Sequence, residues 1–237
     1  MDKKIRLDKY LADMGVGTRS EVKGYIRKGR IKCNQEVVKS PDTKVDVTGD
    51  EITFDGNLVS YVEVEYYMLN KPAGVVSATR DKFTETVVDL IDSPNKDLFP
   101  VGRLDKDTEG LLIITNDGDL GHRLLSPKNK IPKVYYARIN GPLEDNHIEL
   151  FEQGVDLGDF IAMPAKLTII ESGEESEVYV TVYEGKFHQV KRMFEAIGRE
   201  VVYLKRMSMG SLQLDESLKA GEYRPLMEDE LALLRKE

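Results

Sequence analysis

Residues 102–118 read GRLDKDTEGLLIITNDG. Three acids within five residues, Asp105, Asp107 and Glu109, run straight into the apolar segment Leu111–Thr115, and Asn116-Asp117-Gly118 follows. The pattern predicts a polar loop, a buried strand and a helix start in that order. Asp105-x-Asp107-x-Glu109-Gly110 imitates the opening of a calcium loop. The imitation then fails, because the ninth position is Ile113 and the twelfth is Asn116, where a bidentate Glu is needed. Two carboxylates flanking one glycosidic bond are another chemistry open to Asp105 and Asp107. On composition alone, acids of a polar loop before a strand are the favoured reading.

Outward from this stretch, strands are expected at Glu65–Leu69, Val134–Asn140, Ala165–Glu171, Glu177–Tyr183 and Val201–Lys205. Helices are expected at Val87–Ile91, Gly118–Leu125, Asp145–Gln153, His188–Ile197 and Glu228–Lys236. Val178, Val180 and Val182 alternate with Tyr179, Thr181 and Tyr183, as in a strand covered on one face. The order does not repeat βαβ units, so the fold class is α+β, with a central, mainly antiparallel sheet flanked by helices. In EGKFHQVKRMFEAIG, residues 184–198, Val190, Met193, Phe194 and Ile197 form a helical core stripe that Gly198 ends. Lys186, Lys191 and Arg192 lie at its start, where cations oppose the helix dipole at a cost of about 0.3–1 kcal/mol. An anionic partner would offset that cost; an ordinary basic surface helix is the alternative.

The first 60 residues read as a separate module. Leu7, Tyr10, Leu11 and Met14 fall at helical spacing, Thr18-Arg19-Ser20-Glu21 has the form of a capping box, and Gly29 is placed to end the second helix. Short strands are expected after it, around an Asn34-Gln35 turn and an Asp55-Gly56 turn. The boundary falls near Tyr61–Glu65, giving domains 1–60 and 61–237. The chain of 237 residues carries 34 basic and 42 acidic groups, net −8, which argues against a generic polyanion binder. Lys3–Lys32, however, holds 10 basic against 3 acidic residues, and Arg19, Lys23, Arg27 and Arg30 project along one side. Such a segment suits a polyanion, although charge alone is met equally by a solvated helix face.

No apolar run approaches the roughly 18 residues of a membrane helix, and the start MDKKIRLDKYLADMG has no apolar core of a secretory signal, so a cytoplasmic chain is expected. The one cysteine, Cys33, excludes an internal disulfide and is expected to be a small buried residue. His122, His147 and His188 have no Cys or His at zinc-ligand spacing, so no Cys/His metal site is expected.

Taken together, LNKPAGVVSAT at 69–79, GRLDKDTEGLLIITNDG at 102–118, KVYYARI at 133–139 and EGKFHQVKRMFEAIG at 184–198 resemble the ordered motifs of bacterial ribosomal RNA pseudouridine synthases of the small-subunit type. RLDKYLADMGVGTRSEVKGYIRKGRIKCN, within residues 5–60, looks like an S4 RNA-binding module. The resemblance covers nearly the whole chain. It implies a cofactor-free uridine isomerase that flips its target base, with Asp105 as the catalytic aspartate and Tyr135 as the active-site tyrosine. Lys191 matches the basic residue that pairs with the aspartate, with Arg192 as the adjacent alternative. Arg103 matches a residue that helps hold the site open, and Leu212 an apolar residue packed near the base. His188 is given a packing or hydrogen-bonding role, and Tyr136 alternates outward beside Tyr135. Arg6, Lys9, Arg19, Lys23, Arg27 and Arg30 are the implied RNA contacts. The implied partner is ribosomal RNA or a small-subunit assembly intermediate, with monomer as the default state. HQVKRM at 188–193 and a short C-terminus without a basic tail favour the small subunit. Enzymes acting on large-subunit or transfer RNA, and a non-catalytic assembly factor, are the rivals.

Overall fold

The structure is a computed structural model describing residues 4–61, 64–93 and 97–237. It divides into two compact units, Met1–Val64 with Asp92–Leu98, and Glu65–Ile91 with Phe99–Glu237. Residues 62 and 63, at the expected boundary, lie outside the described residues.

The first unit holds β1 (Lys4–Arg6), α1 (Leu7–Asp13), α2 (Arg19–Arg27), β2 (Ile31–Cys33), β3 (Glu36–Val37), β4 (Lys44–Asp46), β5 (Ile52–Phe54) and β6 (Asn57–Leu58). Thr18 caps α2 as expected: its hydroxyl accepts from Glu21 N, and the Glu21 carboxylate accepts from Thr18 N. Gly29 follows in the left-handed region, at φ +71°, and lets the chain leave the helix. Leu7, Tyr10, Leu11 and Met14 pack with Val22, Ile26, Ile31, Val45 and Ile52 into a small core. Strand β1 pairs with β4, and the rest form a sheet in the order β3-β2-β5-β6. Asn34 and Gln35 both take positive φ in the hairpin turn between β2 and β3. Cys33 is only partly buried, because β2 is short and two of its three residues are not enclosed.

The second unit holds β7 (Tyr66–Lys71), β8 (Phe99–Pro100), β9 (Glu109–Thr115), α3 (Gly118–Leu125), β10 (Lys133–Asn140), α4 (Asp145–Gln153), β11 (Lys166–Glu171), β12 (Glu175–Val182), α5 (Gln189–Ala196), β13 (Val201–Met209), β14 (Leu212–Gln213), β15 (Tyr223–Pro225) and α6 (Glu228–Leu234). Its sheet runs β11-β12-β10-β13-β9-β7-β15, with β14 on β13 and β8 on β9. Among these described strands only β13 and β9 pair in parallel, so the sheet is mainly antiparallel and the α+β class holds. The parallel contact needs Gly110. Its φ is +100°, and a Cβ there would lie 2.3 Å from the Arg206 carbonyl oxygen. Strand β13 extends past the expected Lys205 because β10, β9 and β14 all pair with it. The segment Val87–Ile91 is not a helix but a pair of tight turns, with Asp89 N bonded to Thr86 O and Ile91 N to Val88 O. Five residues are too few to nucleate a helix unaided.

Candidate active site

Residues from three of the motifs gather around one cleft: Arg103, Leu104 and Asp105, then Tyr135, then several from Glu184 to Lys191. Its space, open mouth included, is about 450 Å³. Leu104, Tyr135, Val182, Val190 and Leu204 give it an apolar floor, and Arg103, Asp105, Lys186, His188 and Lys191 surround that floor with polar groups. Tyr135 is buried on β10, while Tyr136 points to the other face and packs edge-on against Tyr179 and Tyr203.

Asp105 sits in the loop before β9. Lys191, on the first turn of α5, has its Nζ 3.5 Å from Asp105 Oδ2, and 2.6 and 2.8 Å from the two oxygens of Asp107. Hydrogen bonding to Lys191 holds the Asp107 carboxyl below the usual carboxylate range. His188 Nε2 approaches Asp105 Oδ1 at 3.5 Å. Glu109, the third acid of the run, turns elsewhere and accepts from the Tyr203 hydroxyl at 2.8 Å. Burial and this bond push the Tyr203 phenol up. The three acids therefore do not converge, and among the described residues no three His, Cys, Asp or Glu side chains gather as a metal site.

Buried polar contacts hold the Asp105 loop from below. Lys71, fully buried at the end of β7, donates to the carbonyls of Pro72 at 2.9 Å, Lys106 at 3.3 Å and Thr108 at 2.9 Å. Burial lowers its pKa to about 8, although Asp107, Asp105 and Glu109 pull the other way. Ser77 Oγ both donates to Leu104 O at 2.8 Å and accepts from Leu104 N at 3.1 Å. On the opposite wall, Glu184 accepts from Met163 N and from Gln189 Nε2, and Gln189 Oε1 accepts from Lys186 N. The result is the Asp105 carboxylate beside an ammonium in a cleft with several apolar lining residues. That combination can take an aromatic base and stabilise charge on the sugar beside it.

Residues 65–196 match the family model described as RNA pseudouridylate synthase, and residues 5–52 match the S4 domain. The chain belongs to the RNA pseudouridylate synthase family. It is 47% identical over 235 residues to "Uncharacterized RNA pseudouridine synthase YtzG" of Bacillus subtilis, covering 97% of this chain and 98% of that protein. It is 40% identical to "Ribosomal small subunit pseudouridine synthase A" of Vibrio cholerae, covering 98% and 100% of the two chains. A solved structure titled "Crystal structure of pseudouridylate synthase" superposes with a TM-score of 0.68 at 40% identity, over 97% of this chain and 99% of that one. The protein is thus an isomerase, an RNA pseudouridine synthase with an N-terminal S4 domain.

Not every residue that the motifs suggested reaches the synthase cleft. Arg103, Asp105, Tyr135 and Lys191 all line it. Arg192 does not: its guanidinium bonds Leu157 O at 3.0 Å and pairs with Asp159. One helical position turns it about 100° away from Lys191. Leu212 does not line the cleft either. It pairs with Met209 and is enclosed in a core cluster with Met68, Ile113 and Leu226. Leu204 is one of the apolar residues at the cleft that the motifs did not indicate, and its place on the expected strand Val201–Lys205 was the available signal. Lys71 carried a signal too, as a lysine ending an apolar strand. Ser77 carried none, since its partner is distant in sequence.

In the S4 domain, several of the expected RNA contacts are engaged with acids. Arg6 bonds Asp8 at 2.9 and 3.0 Å, Lys9 bonds Asp13 at 2.7 Å, and Lys23 lies 3.9 Å from Asp8. Arg30 pairs with Asp55 and lies over the rings of Tyr25 and Phe54. Arg19 and Arg27 are exposed and have no ion pair among the described residues.

Proposed function

We propose that this enzyme isomerises a specific uridine of small-subunit ribosomal RNA in the cytoplasm, with Asp105 as the catalytic carboxylate and residues 1–60 as the RNA-holding domain of a monomer. The observation that carries the reading is the cleft itself: Asp105, Lys191 and Tyr135 meet over an apolar floor. The name of the Vibrio cholerae relative supports the choice of RNA.

The reaction breaks N1–C1′, turns the freed uracil and joins C5 to C1′. A proton leaves C5 and N1 gains one, so the uridine keeps all its atoms and no cofactor or co-substrate is consumed. The uridine first leaves its stack, at a cost of a few kcal/mol. Asp105 supplies the anion that faces C1′ and the ring, and Lys191 orients that carboxylate. Tyr135 gives the base a ring face and a phenol near C5, where a proton must leave. The S4 domain contacts phosphates and sets position without reading sequence.

The test is a comparison of pseudouridine maps of ribosomal RNA from cells with the gene, without it, and with Asp105→Asn. One small-subunit position should be lost in both altered strains. The same change should leave RNA affinity nearly intact, since it removes charge and not size. An unchanged map in the deletion strain would defeat the proposed substrate, and a wild-type map with Asp105→Asn would defeat the proposed catalytic residue.

A further inference from the structure

Phe187 is a large apolar side chain left 76% exposed. Its ring lies flat on His188, with centroids 3.8 Å apart and planes 18° apart. His188 lines the cleft and reaches toward Asp105, whereas Phe187 does not line it. The two rings therefore form a stack that leads from the candidate catalytic carboxylate outward, with its outer ring open to solvent. We propose that Phe187 is a stacking platform for an RNA base next to the nucleotide drawn into the cleft. The inference rests on the function proposed above and adds how the flanking strand is held.

The turn that carries the rings is braced. His188 takes φ +49°, in the left-handed region, where it caps the start of α5. Before it, Lys186 N donates to Gln189 Oε1 at 3.1 Å, and Gln189 Nε2 donates to the buried Glu184 at 3.0 Å. An apolar ring held outward on a buried hydrogen-bond frame is preorganised for a partner with a flat face.

The charges beside it favour a nucleic acid. Lys186 has no ion pair among the described residues, and its Nζ lies 5.8 Å from the Phe160 ring centroid. Arg192 packs over the same ring at 5.4 Å, with its charge already met by Asp159. Cations interleaved with aromatic rings suit a strand that carries both phosphates and bases. Stacking is tolerant of sequence because every base has a π face, so Phe187 supplies affinity and alignment.

The experiment uses the full-length enzyme and an in vitro transcript of small-subunit ribosomal RNA. Phe187→Ala should raise KM by roughly 5- to 150-fold, the loss of one base–aromatic stack, while kcat stays within about twofold. Phe187→Tyr should restore KM, and Phe187→Leu, which keeps apolar bulk without a π face, should not. The chain has no tryptophan, so in Phe187→Trp that indole reports alone, and saturating transcript should quench its emission. Equal KM for wild type and Phe187→Ala, full rescue by Leu, or an indole indifferent to RNA would each overturn the platform while leaving the isomerase reading intact. A wild-type enzyme that converts no uridine in the transcript would overturn both.

Discussion

The Lys191 ammonium lies closer to Asp107, at 2.6 Å, than to Asp105, at 3.5 Å. The closer partner is the more exposed: the Asp107 side chain is 73% accessible and that of Asp105 26%. Solvent screens the Lys191–Asp107 pair, so its length says little about its worth. Asp107 acts as a tether that parks the ammonium over the cleft. Asp107→Asn should then lower kcat by no more than about threefold, whereas Lys191→Met, which leaves the Asp105 carboxylate without its cation, should lower it on the order of 10²-fold. Steady-state turnover of a ribosomal RNA transcript reads both. Equal losses would mean that Lys191 serves Asp107 and not Asp105.

Lys71 ties the Asp105 loop to β7 through three carbonyls. Lys71→Met removes the donors and leaves buried acceptors, a loss of about 2–4 kcal/mol in unfolding free energy. Its pH dependence has a definite sign. The folded-state pKa is about 8 against an ordinary lysine value of 10.5, so between those values the unfolded chain binds more protons and stability rises with pH. Denaturant melts at pH 7 and pH 9 should show the gap between wild type and Lys71→Met widening by about 1 kcal/mol at the higher pH. A constant gap would mean that burial does not perturb this lysine.

The elements easiest to read from sequence are those with local rules. Thr18 and Glu21 form the expected capping box, and β12 buries Val178, Val180 and Val182 on one face, as their alternation with Tyr179 and Thr181 requires. The cleft is legible only where motifs carry it. Asp105 and Lys191 lie 86 positions apart with Tyr135 between them, and no periodicity links the three. Leu212 and Arg192 show the limit. Arg192 sits inside a matching motif and Leu212 beyond all four, and a one-residue step on α5 and strand pairing with Met209 send them elsewhere. Ser77 acts through the backbone carbonyl and amide of a residue distant in sequence, an interaction that leaves no pattern in its neighbours.

Gly110 connects the Asp105 loop to the parallel pairing of β9 with β13. Gly110→Ala would combine a left-handed φ with a Cβ 2.3 Å from the Arg206 carbonyl oxygen and 2.7 Å from its nitrogen. Neither atom is the end of a flexible side chain, so a strand must shift. The expected loss is about 4 kcal/mol or more, at the upper end for single substitutions. Thermal melts should show the catalytic unit failing early or the protein insoluble. A melting temperature equal to wild type would mean that β9 can separate from β13 at no cost.

Arg19 and Arg27 are the exposed, unpaired cations of the α2 stripe among the described residues, whereas Arg30 is already held by Asp55. A phosphate approaching Arg30 must compete with that carboxylate. One approaching Arg19 or Arg27 displaces only water and counterions. Removing one cation that neutralises a phosphate should reduce the slope of log K against log salt by about 0.7–0.9. The pair Arg19→Ala and Arg27→Ala should therefore flatten the slope by roughly 1.5 and weaken target and non-target RNA alike. Arg30→Ala should change the slope by well under one unit and should instead destabilise the domain, since Tyr25 and Phe54 lose the guanidinium packed over them. Turnover at saturating RNA should hold in the double variant, because Asp105, Tyr135 and Lys191 belong to the other compact unit. Filter binding across a salt series separates the cases. A slope unchanged by the double substitution, with Arg30→Ala flattening it instead, would move the phosphate-binding role to the paired end of the stripe and make Asp55 a competitor that RNA displaces.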